Sequence, residues 1–161
     1  MMFSTARLCD EYAHQPHFQI AEPMFKNFGA NSVFSGQIRT LKVFEDNALV
    51  KQVLAEKVTQ QVLVIDGGGS HRCALIGYDL AEIACKNGWQ GLIIYGCIRN
   101  SQALRQLPIG IRALHAQPLN SHERGIGETG NVLTFAGVNF KQEHFLYADE
   151  DGIIVSETML G

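Results

Sequence analysis

Hydrophobic and polar positions alternate along this chain in two distinct rhythms. From Ser4 to Tyr12, Leu8 and Tyr12 lie four apart on one face behind a capping serine, which predicts a short helix. Val33 to Val43 is rich in β-branched residues and predicts a strand, bent at Gly36. Asn47 to Lys57 returns to helical spacing, with Leu49, Val53 and Leu54 apolar and lysines on the far side.

The pattern changes at Gln61. Gln61 to Asp66 is a nearly continuous apolar run that ends in Gly67-Gly68-Gly69, and Gly91 to Gly96 repeats the signature. Such runs are strands buried on both faces of a sheet. A predicted helix from Leu80 to Asn87, closed by Gly88, lies between them, so the three form a βαβ unit. Beyond it come a short helix near Ser101 to Gln106, an apolar run from Ile109 to Ala113 and a glycine-rich loop around Gly125 and Gly127. Strands at Val132 to Phe140, Phe145 to Ala148 and Ile153 to Val155 complete the pattern. The fold class is α/β, with a β-rich end that a simple doubly wound sheet would not have.

Composition narrows the functional classes. With 161 residues, the expectation is one domain spanning residues 1–161. Its 46% hydrophobic and 18% charged residues argue against disorder. A net charge of −3 disfavours direct nucleic-acid binding, which needs a basic face. The longest dense apolar stretch, Gly91 to Ile98, is too short to span a membrane, and the opening Met1-Met2-Phe3-Ser4 lacks a secretion signal. Cys9, Cys73, Cys85 and Cys97 form no Cys-x-x-Cys pair, so they read as buried, reduced thiols of a cytoplasmic protein. The six histidines show no metal-ligand spacing. Phe135, Val138 and Phe140 read as core.

Three segments hold candidate chemistry. Asp66-Gly-Gly-Gly-Ser-His-Arg72 places glycines after a buried strand, where backbone N–H groups approach a ligand closely. It lacks the third glycine of a dinucleotide fingerprint and the lysine of a P-loop, so a tight turn and a ligand-lining loop stand about even. Gly77-Tyr78-Asp79-Leu80 opens a helix; its N–H groups and dipole suit a carboxylate, while Asp79 with Glu82 has the spacing of a capping box. Arg99 and Asn100 follow the second buried strand, where α/β sheets gather ligands. Arg99 is a planar fork for carboxylates. Asn100 before Ser101 also reads as an ordinary helix cap. Gly77 and Arg99 belong to one βαβ unit and together suit a small 2-oxo acid.

Several segments closely resemble the RraA family: Ile20 to Gly29, Phe44-Glu-Asp-Asn47, Val64 to Ser70, Tyr95-Gly96, Arg124-Gly-Ile-Gly-Glu128 and Tyr147 to Val155. The resemblance runs nearly end to end. It implies a swivelling β/β/α domain assembled as a ring-shaped homotrimer, with paired trimers (a hexamer) in some relatives. One branch of the family binds ribonuclease E and inhibits RNA decay. The other is a class II aldolase that splits 4-hydroxy-4-methyl-2-oxoglutarate into two pyruvates and decarboxylates oxaloacetate. Lys86 to Gly91, Tyr95 to Arg99 and Arg124 to Gly127 resemble the aldolase branch more closely.

The resemblance also implies site residues. Substrate contacts fall on Gly77, Tyr78, Asp79 and Leu80, mostly through backbone N–H, and on Arg99, which is also the catalytic candidate. A divalent cation, Mg²⁺ or Mn²⁺, is held in that branch by an aspartate at the position of Asn100. A second aspartate, at the position of Tyr78, acts through metal-bound water. This chain departs from the pattern at both positions. Asn100 keeps an oxygen but loses the charge that attracts a hard cation. Asp79 is one residue from Tyr78, a step of about 100° around a helix, so it does not simply replace the missing group. Glu128 and Asp149 are candidate bases by chemistry alone. The expectations are therefore a metal-assisted lyase or, with a retired pocket, a regulator that docks against ribonuclease E.

Overall fold

The computed structural model describes residues 3–161, so Met1 and Met2, where a secretion signal would begin, lie outside the described residues. In chain order the elements are α1 (Thr5–Tyr12), β1 (Phe18–Ile20), β2 (Lys26–Asn27), β3 (Phe34–Val43), α2 (Ala48–Leu54), β4 (Gln61–Asp66), β5 (Ala74–Ile76), α3 (Tyr78–Lys86) and β6 (Trp89–Ile98). They continue with α4 (Ser101–Leu104), β7 (Gly110–Ala116), β8 (Gly127–Thr129), β9 (Leu133–Phe135), β10 (Val138–Phe140), β11 (Phe145–Asp149) and β12 (Gly152–Ser156). The main sheet runs β1-β12-β11-β3-β4-β6-β7-β2. Its centre, β3-β4-β6-β7, is parallel, and antiparallel strands flank it on both sides.

The parallel centre follows from the apolar runs. Along β4, Val62 and Val64 face one core while Leu63 and Ile65 face the other. Along β6, Ile93 takes the first side and Leu92 and Ile94 the second. Side chains alternate across a strand, so a strand buried on both faces needs no polar positions. One core holds α2 and α3, the latter seated through Ala81 and Ala84, whose small side chains let the helix lie close to the sheet. The other is covered by the β9–β10 hairpin through Leu133, Phe135, Val138 and Phe140. Ala136 and Gly137 turn that hairpin with positive φ at both positions (52° and 73°), as a type I′ turn requires. The apolar stretch Val132 to Phe140 is thus two strands rather than one.

Four short strands, β1, β2, β5 and β8, were not predicted; each is two or three residues long and too brief for periodicity to mark. Gly36 allows a close approach, since a Cβ there would lie 2.8 Å from the Gln60 carbonyl oxygen. Cys73 and Cys97 are buried, whereas Cys9 and Cys85 are half-buried, and all four are free thiols. Among the described residues no helix is long and apolar enough to cross a membrane.

Two local constraints hold the sheet and its loops. Gly91 and Gly110 are register partners on β6 and β7, and the Phe34 ring lies across both. A Cβ at either position would overlap that ring. The Arg112 guanidinium sits 5.4 Å above the same ring and donates to the carbonyls of Ser32 (2.6 Å) and Asp149 (3.0 Å). Asp46, only 2% exposed, accepts hydrogen bonds from the N–H groups of Ala48 (3.1 Å), Arg124 (2.8 Å), Gly125 (3.2 Å) and Ile126 (3.5 Å). Burial pushes its carboxyl up, but these four N–H groups outweigh that and hold it below the ordinary aspartate value.

Two outcomes follow from these constraints. Gly110→Ala overpacks the slot under Phe34 and lowers the unfolding free energy by about 1–3 kcal/mol, read as a shifted urea midpoint. Asp46→Asn removes a charged acceptor and costs about 1–3 kcal/mol at neutral pH. Because the folded-state value is depressed, the wild-type advantage is full above the unfolded aspartate pKa of about 3.9. It fades as pH falls through the folded-state value, so the gap between wild type and Asp46→Asn closes on acidification.

Candidate active site

The site begins where β5 and β6 stop side by side. Ile76 pairs with Ile98, and the Arg99 N–H donates to the Ile76 carbonyl at 2.9 Å. Gly77 and Arg99 therefore leave adjacent parallel strands together. Gly77 becomes the N-cap of α3, and Asn100 the N-cap of α4. The two departing segments touch: a Cβ on Gly77 would lie 2.7 Å from Asn100 Oδ1 and 3.1 Å from Arg99 Cγ. A side chain there would have to displace the Asn100 carboxamide.

A cavity of about 170 Å³ opens at this junction. Gly77, Tyr78, Asp79 and Leu80 form one wall and Arg99 and Asn100 another. Every substrate-site position anticipated from the chain thus borders one space. The remaining lining comes from Asn47 and Lys51 at α2, Ile83 of α3, and the loop residues Asn120 and Glu123. These were not anticipated. Asn47 lies inside the Phe44–Asn47 segment that carries the family likeness, which was the available signal; for Lys51, Ile83, Asn120 and Glu123 there was none. Asn47 Nδ2 donates to the Leu75 carbonyl (3.2 Å) and to Asn120 Oδ1 (3.3 Å), which ties α2 to the loop across the cavity.

Hydrogen bonding at the helix start differs from the capping-box expectation. Gly77 offers no side chain, and Asp79 is an exposed residue of the first turn rather than the cap. The Tyr78 N–H instead donates to Asn100 Oδ1 at 2.9 Å, so the cap comes from 22 positions along the chain. Asn100 likewise differs from an ordinary cap of its own helix: its backbone is left-handed (φ 59°, ψ 39°) and its side chain makes no bond to α4. The Asp79 and Leu80 N–H groups have no intrahelical partner, because the first turn of any helix leaves its donors free. Glu82 accepts from the Tyr78 hydroxyl at 3.1 Å, and this bond holds the phenol above its usual pKa. Arg99 Nε is buried without a partner.

Other candidates fall outside the cavity. The Gly67–Gly69 loop is a turn: Gly68 N–H donates to Asp66 Oδ1 (2.8 Å), and the left-handed Gly68 abuts the Phe44 ring. Ser70 and Arg72 both bind the Glu45 carboxylate (2.6 and 2.7 Å), which lies below its ordinary value chiefly because Arg72 donates to it. Glu128 is exposed on β8 and accepts from Asn131 at 2.9 Å. Asp149 accepts from the N–H (2.8 Å) and hydroxyl (2.6 Å) of Thr5 and ties α1 to β11. Neither carboxylate borders the cavity, so the candidate bases there are Asp79 and Glu123.

The donor set does not fit a resident Mg²⁺ or Mn²⁺. Hard cations take several oxygen ligands, carboxylates foremost. Here the oxygen at the family's metal position belongs to a neutral carboxamide that already accepts the Tyr78 N–H. The position of the second carboxylate holds a phenol bonded to Glu82. Among the described residues no three His, Cys, Asp or Glu side chains gather closely enough to hold an ion.

Known proteins match along nearly the whole chain. The family model described as RraA-like, Aldolase/RraA, covers residues 5–155. A Methylococcus capsulatus protein named "Putative 4-hydroxy-4-methyl-2-oxoglutarate aldolase" is 58% identical over 160 residues, 99% of each chain. Among solved structures, the RNA-processing inhibitor RraA from Thermus thermophilis superposes with a TM-score of 0.95 at 42% identity, over 100% of this chain and 96% of that one. A Geobacillus kaustophilus structure described as an S-adenosylmethionine:2-dimethylmenaquinone methyltransferase gives 0.94, also at 42% identity, over 98% and 97%. Sequence and fold agree across the full length, and this chain belongs to the RraA-like family.

Proposed function

We propose that this protein is a carbon–carbon lyase acting on small 2-oxo acids, of the 4-hydroxy-4-methyl-2-oxoglutarate aldolase type, with oxaloacetate decarboxylation as a second reaction. The observation that supports this reading is that Arg99 borders one small cavity together with Asp79 and Leu80, first-turn residues of α3 whose N–H groups have no intrahelical partner. A guanidinium and helix-start amides are the donors that a carboxylate beside a keto group calls for. At about 170 Å³ the space is below the roughly 300 Å³ at which drug-sized ligands begin to fit, which suits a short acid rather than a nucleotide.

In the aldolase reaction the C4 hydroxyl gives up its proton and the C3–C4 bond breaks. The electron pair of that bond becomes the enolate of one pyruvate, and C4 leaves as the carbonyl carbon of the second. The enolate then takes a proton at C3. With oxaloacetate the same bond breaks and the leaving group is carbon dioxide. Arg99 and the amide donors hold the substrate carboxylate and face the negative charge that develops on the keto oxygen. Asp79 and Glu123, the carboxylates bordering the cavity, are the groups placed to accept the hydroxyl proton.

A second reading is a non-catalytic regulator that binds ribonuclease E. Tyr78 and Asn100, standing where the aldolase pattern has carboxylates, favour it. It takes the mildly acidic assembly to compete with RNA for basic segments of the ribonuclease. In either reading the proposed assembly is a homotrimer.

Purified protein is expected to release pyruvate from oxaloacetate faster than a protein-free blank of identical ion content. Arg99→Ala is expected to lower that kcat/KM by about 10–100-fold, the worth of a charged hydrogen-bonding donor. A wild-type rate equal to the blank, together with retention of ribonuclease E in a pull-down, would transfer the assignment to the regulator.

A further inference from the structure

We infer that this chain holds its 2-oxo acid by direct hydrogen bonds and without a bridging divalent cation, the Asn100 carboxamide supplying an N–H donor where the family pattern supplies a cation-binding oxygen. The inference rests on the 2-oxo acid reading of the cavity and adds how the anion is recognised there.

The orientation of the Asn100 carboxamide is fixed by its partner. Backbone N–H groups only donate, so the atom 2.9 Å from the Tyr78 nitrogen is the carboxamide oxygen. The other terminal atom is therefore Nδ2, a donor, and it has no hydrogen-bond partner among the described residues. An aspartate in this pose would accept the same N–H with one oxygen and turn a second, charged oxygen outward as a cation ligand. The carboxamide has nearly the same shape and the opposite hydrogen-bonding sense. Asn100 borders the cavity alongside Arg99, whose Nε is buried and unpaired.

The position of Tyr78 points the same way. Its hydroxyl is engaged by Glu82, four residues along α3. The position that would steady cation-bound water in the family is thus occupied by an internally bonded phenol. Beside Arg99 and Asn100 the lining residues bring further donors, the Asp79 and Leu80 amides and the Lys51 ammonium, together with the carboxylates of Asp79 and Glu123. Asp79, Glu123 and Lys51 are exposed, where water and salt screen their charges. Arg99 Nε is buried and unpaired, and such a donor is costly until something accepts from it, whereas Asn100 is exposed and its Nδ2 adds a second donor at the mouth of the same cavity.

The test is a pyruvate titration of the ¹⁵N-labelled protein, following the Arg99 Nε–H resonance in excess EDTA and again in excess Mg²⁺. The inference expects dissociation constants that agree within about twofold in the two buffers, a difference below about 0.5 kcal/mol. Asn100→Asp, nearly isosteric and confirmed folded by circular dichroism, is expected to bind pyruvate about tenfold or more weaker in EDTA. Mg²⁺ should restore it, since the new carboxylate repels the ligand until a cation lies between them. Wild-type binding that appears only with Mg²⁺ would overturn the inference and leave the lyase reading standing. Equal affinity of wild type and Asn100→Asp in EDTA would also overturn it, by showing that the donor at position 100 does not meet the ligand. Absence of pyruvate binding in both buffers would overturn it as well; the lyase reading is judged separately, by turnover.

Discussion

The register between β5 and β6 is the constraint from which the site follows. Ile76 and Ile98 are paired at the ends of two parallel strands, so the chain must leave the sheet at Gly77 and at Arg99 side by side. A shift of one residue would turn the Arg99 side chain to the opposite face of the sheet. The apolar faces of β4 and β6, divided between two cores, resist such a shift because Val62 to Ile65 and Leu92 to Ile94 are committed in alternation to one side and the other.

That junction leaves little room for variation. At Gly77, Asn100 Oδ1 and Arg99 Cγ crowd the space that a Cβ would take. Without a side chain Gly77 cannot cap α3, and Asn100 supplies the acceptor from the neighbouring segment. The left-handed backbone at Asn100, which asparagine tolerates better than most residues, aims the carboxamide back across the junction. Fold stability and ligand chemistry therefore meet in one side chain. Asparagine and aspartate both satisfy the cap, but they present opposite hydrogen-bonding character to the cavity. A relative can thus keep this fold almost unchanged while altering what the cavity binds and how.

Much of this was legible in the chain. The doubly buried strands β4 and β6 stand out because their short apolar runs show neither the alternation of a half-exposed strand nor the period of a surface helix. Gly77, Arg99 and Asn100 could be singled out because each lies just beyond a strand or at the start of a helix. Lys51, Asn120 and Glu123 could not, since they come from a helix flank and a loop that only tertiary folding brings to the junction. At the Gly67–Gly69 loop the tight-turn alternative holds: Gly68 and Gly69 are left-handed, against the Phe44 and Tyr95 rings respectively, and nothing in the spacing of the glycines separates that duty from ligand contact. The capping role of Asn100 was also hidden, because its acceptor bond goes to Tyr78 on another segment rather than to the helix it begins.

The functional reading stands or falls with one small organic anion held between the Arg99 guanidinium and the start of α3. A crystal structure of the protein grown with pyruvate decides the matter. Pyruvate is predicted at this junction, with its carboxylate on Arg99 and within hydrogen-bond reach of the Asp79 or Leu80 amide. Pyruvate bound elsewhere, or an Arg99 side chain turned away from a ligand seated in the cavity, would refute the reading.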